Sequence, residues 1–154
     1  MKLYSLRERT LLPTTLERAW DFFSSPKNLP VITPTELNFK VISDAPEETY
    51  AGLILHYTVT PLLGIPLQWV TEITQVEKKR LFIDEQRFGP YRFWHHQHQF
   101  SETADGVEMI DMVHYALHGD PLSRPLHALI VRPQLEKIFG YRRQKLKELF
   151  PSQA

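Results

Sequence analysis

The sequence predicts an α+β fold in which a curved, seven-stranded antiparallel sheet is covered by a long C-terminal helix. Three observations predict it. A short amphipathic helix follows the first alternating segment; six further alternating segments are separated only by turns; and the hydrophobic period then changes from two to about 3.6 residues. Parallel strands would need a crossover of helix length between them, and none is present among the six segments.

The first elements are one strand and two helical segments. Residues 2–12 alternate between apolar and polar side chains and predict the strand. Thr14 and Glu17 match a capping box, in which each side chain binds a backbone N–H at the start of a helix. The predicted helix has one apolar face, formed by Leu16, Ala19, Trp20 and Phe23. It ends at residues 24–26, and a shorter helical segment is expected between residues 26 and 34.

Six strands and the long helix complete the chain. The strands are predicted at residues 37–43, 50–60, 66–77, 80–88, 91–102 and 107–117. Gly89-Pro90 and Asp105-Gly106 predict two of the hairpin turns between them. After residues 119–121, an apolar stripe at helical spacing predicts the C-terminal helix, with Pro133 at its first turn or at a kink. The stripe consists of Leu135, Ile138, Phe139, Arg142, Leu146, Leu149 and Phe150. This order is the helix-grip arrangement, which leaves space between sheet and helix.

Composition limits the functions open to the chain. Its 154 residues predict one domain, residues 1–154. Lys plus Arg and Asp plus Glu number 18 each, and this zero net charge does not favour a nucleic acid partner. The absence of cysteine excludes disulfides, thiolate catalysis and cysteine-ligated zinc. No segment has the ~18 consecutive apolar residues of a membrane span, and the N-terminus carries no signal core. We therefore expect a cytoplasmic monomer or homodimer without an integral membrane segment.

One strand carries the most informative pattern. Trp94, His96, His98 and Phe100 occupy every second position and therefore share one face. If Asp105-Gly106 is a two-residue turn, His96 lies opposite Tyr115 on the next strand; a four-residue loop instead places His98 opposite Asp111. Both registers bring the same seven side chains to one face: Trp94, His96, His98, Phe100, Asp111, Val113 and Tyr115. A three-residue loop would break this parity.

Four interpretations of that face remain open. Asp111 and Tyr115 satisfy the histidines inside a filled core, or the same groups line a ligand cavity and orient its occupant. A histidine with Asp111 could also act as a general acid–base pair. Two imidazoles two positions apart on a strand are within reach of one metal ion, but no residue outside this strand supplies a clear third ligand. No metal and no cofactor are therefore predicted.

A family resemblance rests on segments from most of the chain. They are Trp69-Val70-Thr71-Glu72-Ile73, Phe82-Ile83-Asp84-Glu85-Gln86, Gly89-Pro90-Tyr91, Trp94-x-His96-x-His98-x-Phe100, Asp111-x-Val113-x-Tyr115 and Ile138-Phe139-x-Tyr141-Arg142. Together with the element order, they resemble the START-like, polyketide-cyclase and birch-pollen-allergen superfamily (SRPBCC), in particular its bacterial ligand-binding branch. The resemblance implies a sheet wrapped around the terminal helix with a cavity for a hydrophobic molecule. It does not imply one activity, because the superfamily includes lipid carriers, hormone receptors and aromatase/cyclases.

We predict that the cavity binds a small hydrophobic or amphipathic ligand, either lipid-like or aromatic. The predicted ligand-binding residues are Trp69, Asp84, Gln86, Trp94, His96, His98, Asp111, Tyr115, Phe139 and Arg142. The turn at residues 89–90 fits both orientations of the 80–88 strand, so the side to which Asp84 and Gln86 point stays open. Arg142 lies on the apolar stripe and is expected to reach a carboxylate or the polar end of a ligand. The alternatives are a cyclase or dehydratase that uses a cavity histidine with Asp111, and an interaction module with a filled core.

An apolar loop joins two of the strands. Residues 61–66 read Pro-Leu-Leu-Gly-Ile-Pro, although loops are usually polar. The loop packs against the terminal helix or another subunit, or it forms the lip through which a ligand enters, with transient membrane contact. The sequence leaves both explanations open.

Overall fold

The structure, a computed structural model, describes residues 1–62 and 64–152. Its strands form one antiparallel sheet in the order β1-β7-β6-β5-β4-β3-β2. The strands are β1 (Tyr4–Leu12), β2 (Lys40–Val41), β3 (Ile54–Leu62), β4 (Ile65–Glu77), β5 (Leu81–Phe88), β6 (Phe93–Thr103) and β7 (Gly106–Ala116). The predicted α+β fold class and helix-grip order are confirmed.

The helices form two groups along the chain, one between β1 and β2 and one after β7. The first contains α1 (Leu16–Phe23) and the 3₁₀ segments Pro26–Ile32 and Thr35–Leu37; the second contains α2 (Arg124–Leu126), a π-helical turn (His127–Val131) and α3 (Arg132–Leu149). The helical backbone continues without a break from α2 through the π-helical turn into α3, and Pro133 lies directly after that turn, at the second position of α3. No helix in the described part of the chain is both long and apolar enough to span a bilayer.

The capping box predicted for α1 is wrong by one residue. Thr15 is the N-cap, and its side chain accepts a hydrogen bond from the backbone N–H of Arg18 at 3.3 Å. The backbone N–H of Thr14 instead donates to the carbonyl of Leu12 at 2.8 Å, so Thr14 still belongs to the turn that ends β1.

The largest differences from the predicted strand starts are at β2 and β3. β2 contains only residues 40 and 41, because residues 35–37 form a 3₁₀ turn and Asn38 adopts a left-handed conformation with φ 44°. β3 begins at Ile54 rather than residue 50, because a turn precedes it in which Gly52 has φ +92°. A 3₁₀ turn before β2 and a turn at residues 50–53 before β3 thus replace extended backbone.

The β6–β7 hairpin has the second of the two predicted registers, but the predicted Asp105-Gly106 turn and the four-residue loop are both wrong, because a two-residue turn lies one position earlier. Thr103 pairs with Gly106, so the turn residues are Ala104 and Asp105, and His98 lies opposite Asp111. Gly106 is required here because its φ is +131° and a Cβ would lie 2.2 Å from the carbonyl oxygen of Leu12. The parity holds, and the seven predicted side chains are all buried on one face.

The apolar interior of the described residues divides into three clusters that share partly buried side chains such as Trp69 and Val76. One surrounds Trp20 and Phe100 and includes Leu146 from α3; the second joins Trp94 and Tyr115 to Phe139 of α3; the third surrounds Leu55, Tyr57 and Ile73. The buried side of α3 consists of Leu135, Phe139, Arg142 and Leu146, which belong to the predicted stripe. These clusters border the space between helix and sheet.

Candidate functional site: a cavity with a buried histidine–carboxylate cluster

A cavity of about 430 Å³ lies between the concave face of the sheet and α3. This volume is within the range of small-molecule sites, about 300–1,000 Å³. Most of its wall is apolar, and seven predicted site residues line it: Trp69, Asp84, Trp94, His96, His98, Phe139 and Arg142. The side chains of β5 that sequence reasoning could not orient are thereby placed, because Asp84 and Phe82 face the cavity.

Three predicted site residues lie outside the cavity wall. Asp111 is buried behind the histidines, with only 2% of its surface exposed. The Gln86 side chain donates to the Tyr91 carbonyl at 2.6 Å and accepts from the Tyr91 N–H at 3.2 Å, so it holds the turn before β6. Tyr115 hydrogen-bonds to His127 Nε2 at 2.9 Å. The expectation that Tyr115 satisfies a histidine of β6 is therefore wrong; Trp94 lies opposite it.

Asp84, His96, His98 and Asp111 form a compact group that we call the histidine–carboxylate cluster. Asp84 Oδ2 lies 2.8 Å from His98 Nε2 and 3.5 Å from His96 Nδ1. Asp111 Oδ1 hydrogen-bonds to His96 Nε2 at 2.9 Å and lies 3.0 Å from His98 Nδ1, without hydrogen-bond alignment in the latter contact. Each imidazole therefore stands between two carboxylates.

The strand registers account for this arrangement. Asp84 lies opposite His96 and contacts His98 diagonally, whereas Asp111 lies opposite His98 and contacts His96 diagonally. The two imidazole rings are 3.8 Å apart between centroids, and Phe82 stacks on His98 at 4.2 Å. Three adjacent strands thus position the four side chains, and an aromatic neighbour fixes one of the rings.

Arg142 brings the C-terminal helix into the same site. Its Nη1 lies 3.6 Å from Asp111 Oδ1, and its guanidinium lies 5.0 Å from the centre of the Phe139 ring. The residue is 8% exposed, and its Nε and Nη1 have no hydrogen-bond partner among the described residues. Buried N–H donors usually have a hydrogen-bond partner. The two free donors of Arg142 can therefore bind an acceptor atom of a ligand.

The cluster shifts the pKa values of its two histidines in opposite directions. Burial, together with the neighbouring His98, lowers the pKa of His96. Burial alone would also lower the pKa of His98, but its contacts with Asp111 and Asp84 outweigh burial and raise that pKa. Burial opposes ionisation of Asp84 and Asp111, yet the imidazoles outweigh it and lower both carboxyl pKa values. The favoured state near neutral pH therefore has two carboxylates, with any proton of the pair on His98.

Sequence reasoning missed several polar groups of the cavity wall. Tyr57 alternates with Leu55 and Val59 on β3, a pattern that could have placed it inside. Burial raises the pKa of Tyr57, and the charge of Asp84 adds to the shift, so the phenol stays protonated. Thr71 accepts a hydrogen bond from Trp69 Nε1 at 3.0 Å, which fixes the indole at the wall. Tyr57 can therefore donate to a ligand, whereas Trp69 offers mainly its ring.

A second depression, of about 450 Å³, adjoins the cavity between the β3–β4 loop and α3. Four residues line both spaces: Leu37, Pro61, Gln134 and Ile138. Two contacts cross this region, an ion pair between Glu36 and Lys137 at 2.6 Å and a hydrogen bond from Gln134 Nε2 to the Pro61 carbonyl at 2.5 Å. Leu63 and the Leu62 side chain, which belong to the predicted apolar lip, lie outside the described residues.

Comparison with known proteins shows which solved structures share this fold. No family model and no curated protein sequence matches the chain. Solved structures do match: protein CV1439 from Chromobacterium violaceum has a TM-score of 0.73 at 11% identity, with 97% of this chain and 98% of that one covered. The chain has the birch-pollen-allergen-like helix-grip fold.

Two further structures, one bacterial and one from a plant, have the same fold. Protein Ms6760 from Mycobacterium smegmatis matches with a TM-score of 0.68 at 14% identity, over 97% of this chain and 96% of that one. The major latex-like protein 151 of Panax ginseng matches with a TM-score of 0.70 at 10% identity, over 97% and 98%. At such identities the helix-grip fold is shared, and the ligand and the residues that bind it are properties to derive from this chain.

Proposed function

We propose that this helix-grip protein, a member of the bacterial ligand-binding branch of the SRPBCC superfamily, binds a small amphipathic molecule in the cavity between sheet and α3. The observation that carries the proposal is the cavity of about 430 Å³, whose wall is mostly apolar but contains one localised group of buried charges. Proteins of this fold typically bind hydrophobic ligands. Pockets that bind small molecules combine apolar walls with few fixed polar contacts in the same way.

The distribution of side chains orients the ligand. Its apolar body lies among Leu55, Val59, Trp69 and Trp94, and its polar end points toward His96, His98 and Arg142. The unpartnered guanidinium donors favour an acceptor such as a carboxylate or carbonyl oxygen. We therefore infer a ligand with one acceptor group and an aromatic or aliphatic body.

Native mass spectrometry of freshly purified protein tests the proposal directly. A co-purified organic molecule should appear as a mass increment that disappears on denaturation. Binding of the fluorescent probe anilinonaphthalene sulfonate (ANS), an aromatic anion, provides the quantitative assay. We expect Val59→Phe, which adds a ring inside the cavity, to weaken ANS binding about tenfold or more, because the added volume competes for the site.

A matched control distinguishes occlusion from general damage. Thr58 is the neighbour of Val59 on β3 and points to the other face of the sheet, so Thr58→Phe adds the same ring outside the cavity. We expect Thr58→Phe to bind ANS like the unmodified protein. Equal ANS affinity in the two variants would place the probe elsewhere and would count against the cavity as the binding site.

A second candidate function is acid–base catalysis of the cyclase or dehydratase kind. His96 lines the cavity, its Nε2 is held by Asp111 at 2.9 Å, and its lowered pKa keeps the ring neutral, as a general base requires. If the protein is such an enzyme, His96→Gln abolishes turnover of a polyketide substrate and leaves its affinity within about twofold. If the unmodified protein shows no turnover and His96→Gln only loses affinity for the ligand, the binding function alone is favoured.

A further inference from the structure

The structure assigns a metal site to the cavity side of the histidine–carboxylate cluster: we propose that Asp84, His96 and His98 bind one divalent first-row transition ion, such as Zn²⁺ or Co²⁺. One ligand atom from each residue lies within 4.8 Å of those of the other two. The sequence pattern gave two imidazoles without a third ligand, and β5 supplies that ligand as Asp84. This inference does not rest on the proposed ligand-binding function, because it concerns the ion alone.

The distances fit a single ion. Asp84 Oδ2 is 2.8 Å from His98 Nε2 and 3.5 Å from His96 Nδ1. Zinc binds nitrogen and carboxylate oxygen at about 2.0–2.2 Å, which places neighbouring ligand atoms roughly 3.0–3.4 Å apart at tetrahedral or octahedral angles. These two separations bracket that range, and the ligand nitrogens of the two imidazoles lie within 4.8 Å of each other, so the ion draws the ligands together. Two nitrogen donors and one carboxylate suit borderline divalent metals.

Asp111 has the position of an outer carboxylate. Of the two ring nitrogens that do not face Asp84, His96 Nε2 hydrogen-bonds to Asp111 Oδ1 at 2.9 Å, and His98 Nδ1 lies 3.0 Å from that oxygen without hydrogen-bond alignment. Histidines that bind metals commonly direct their second ring nitrogen to a carboxylate, which fixes the tautomer and the orientation of the ring. The histidine–carboxylate cluster thus has an inner and an outer carboxylate with both imidazoles between them.

Two observations place the ion on the Asp84 side rather than the Asp111 side. Arg142 Nη1 lies 3.6 Å from Asp111, and its positive charge repels a cation there. The Asp84 side chain is 18% exposed and lines the cavity, whereas the Asp111 side chain is 3% exposed. The cavity therefore provides an entry path and room for the remaining ligands that an open metal site requires.

The buried charges also favour a cation. Metal ligation requires neutral imidazoles, so the ion displaces any proton that His98 holds; two carboxylates then face a single guanidinium, which leaves one excess negative charge in the interior. Buried charge of this kind requires a counter-charge. A divalent ion supplies it and leaves the group with one net positive charge, which suits an anionic molecule or hydroxide at the open position.

Co²⁺ titration of tag-free, chelator-treated full-length protein tests the site. We expect one Co²⁺ per chain, a visible absorption band that reports nitrogen and oxygen ligation, and displacement of Co²⁺ by Zn²⁺. Asp84→Asn should weaken Co²⁺ binding tenfold or more. Asp111→Asn should weaken it about 10–100-fold through loss of the outer carboxylate. His95→Gln is the matched control, because it removes an imidazole from the opposite face of β6 and should leave Co²⁺ affinity unchanged.

A measurement on the unmodified protein decides the case if a variant fails to fold. Zn²⁺ should shift the imidazole ¹⁵N resonances of His96 and His98 and leave those of His95 and His114 in place. Absence of a Co²⁺ band at millimolar metal, equal Co²⁺ affinity in Asp84→Asn and unmodified protein, or loss of binding in His95→Gln would each overturn the assignment. So would Zn²⁺-induced shifts confined to other histidines.

Discussion

Arg142 Nη1 lies 3.6 Å from Asp111 Oδ1, so a buried pair of opposite charges ties the C-terminal helix to the middle of the sheet. Both side chains are at most 10% exposed. The pair also closes the histidine–carboxylate cluster on the side away from Asp84. Helix docking and the charge of the site are therefore coupled through one side chain, which has consequences for stability.

Removing the arginine charge should destabilise the fold strongly. We expect Arg142→Met, which keeps most of the side-chain volume, to lower the free energy of unfolding by about 3–5 kcal/mol, because Asp111 then stays buried without its cation. Urea unfolding followed by circular dichroism measures this change.

The adjacent Arg143 provides the control for that experiment. Its Nη2 pairs with Glu8 at 3.1 Å on the surface, where the two side chains are 48% and 27% exposed. Arg143→Met should cost no more than about 1 kcal/mol. Similar losses of unfolding free energy in the two variants would show that burial does not make the Arg142–Asp111 pair more important for stability than a surface pair.

The two cluster histidines should titrate on opposite sides of their ordinary pKa of 6.5, with His98 above it and His96 below it. The raised pKa of His98 contributes stability that is fully present below about pH 6.5 and is lost as pH rises through the folded-state pKa. The lowered pKa of His96 acts oppositely, since its neutral form costs stability as pH falls below about 6.5. The two effects oppose each other in unfolding data, so site-resolved NMR of metal-free protein is the suitable measurement.

A variant identifies the cause of the His98 shift. Asp84→Asn removes a charge 2.8 Å from His98 Nε2 and should lower the pKa of His98. If the pKa of His98 lies below that of His96 in the unmodified protein, the proton resides on the other ring and the description of the cluster is wrong. A His98 pKa that does not respond to Asp84→Asn would leave Asp111 as its sole charged partner.

The contacts that cross the depression beside the cavity should control ligand exchange. We expect Glu36→Gln, which breaks the pair with Lys137, to accelerate dissociation of ANS. Because surface ion pairs are weak, we expect at most about a fivefold change in rate. Stopped-flow fluorescence measures the rate, and added salt should accelerate release from the unmodified protein more than from the variant.

Glu136→Gln is the control for ligand exchange. It breaks a comparable surface pair of α3, with Arg132 at 2.9 Å, at a residue that lines neither depression nor cavity. Its ANS release rate should match that of the unmodified protein. Equal rates in all three proteins would place the entrance somewhere other than between the β3–β4 loop and α3.

The sequence predicts contacts best where one periodicity determines them. Alternation along β6 and β7 brings His96, His98 and Asp111 to one face in either register, and the helical stripe directs Arg142 toward them. Asp84 could not be oriented, because the turn at residues 89–90 fits both orientations of β5. The pairing of β4 with β5 contains two register shifts, whose positions are not encoded in the alternation either. The Tyr115–His127 bond depends on the π-helical turn, for which the local sequence gives no periodic signal.

Glycine-to-alanine substitutions at two positions should have opposite effects on stability. Gly106 has φ +131°, and a Cβ there would lie 2.2 Å from the Leu12 carbonyl oxygen, so Gly106→Ala strains the β6–β7 turn and displaces the end of β1. We expect it to destabilise the protein by about 1–3 kcal/mol. Gly140 lies inside α3, where a Cβ meets no atom within 4 Å, and Gly140→Ala should stabilise by about 0.5–1 kcal/mol. Urea unfolding of both variants provides the test, and changes of the same sign would contradict the backbone geometry at one of the two sites.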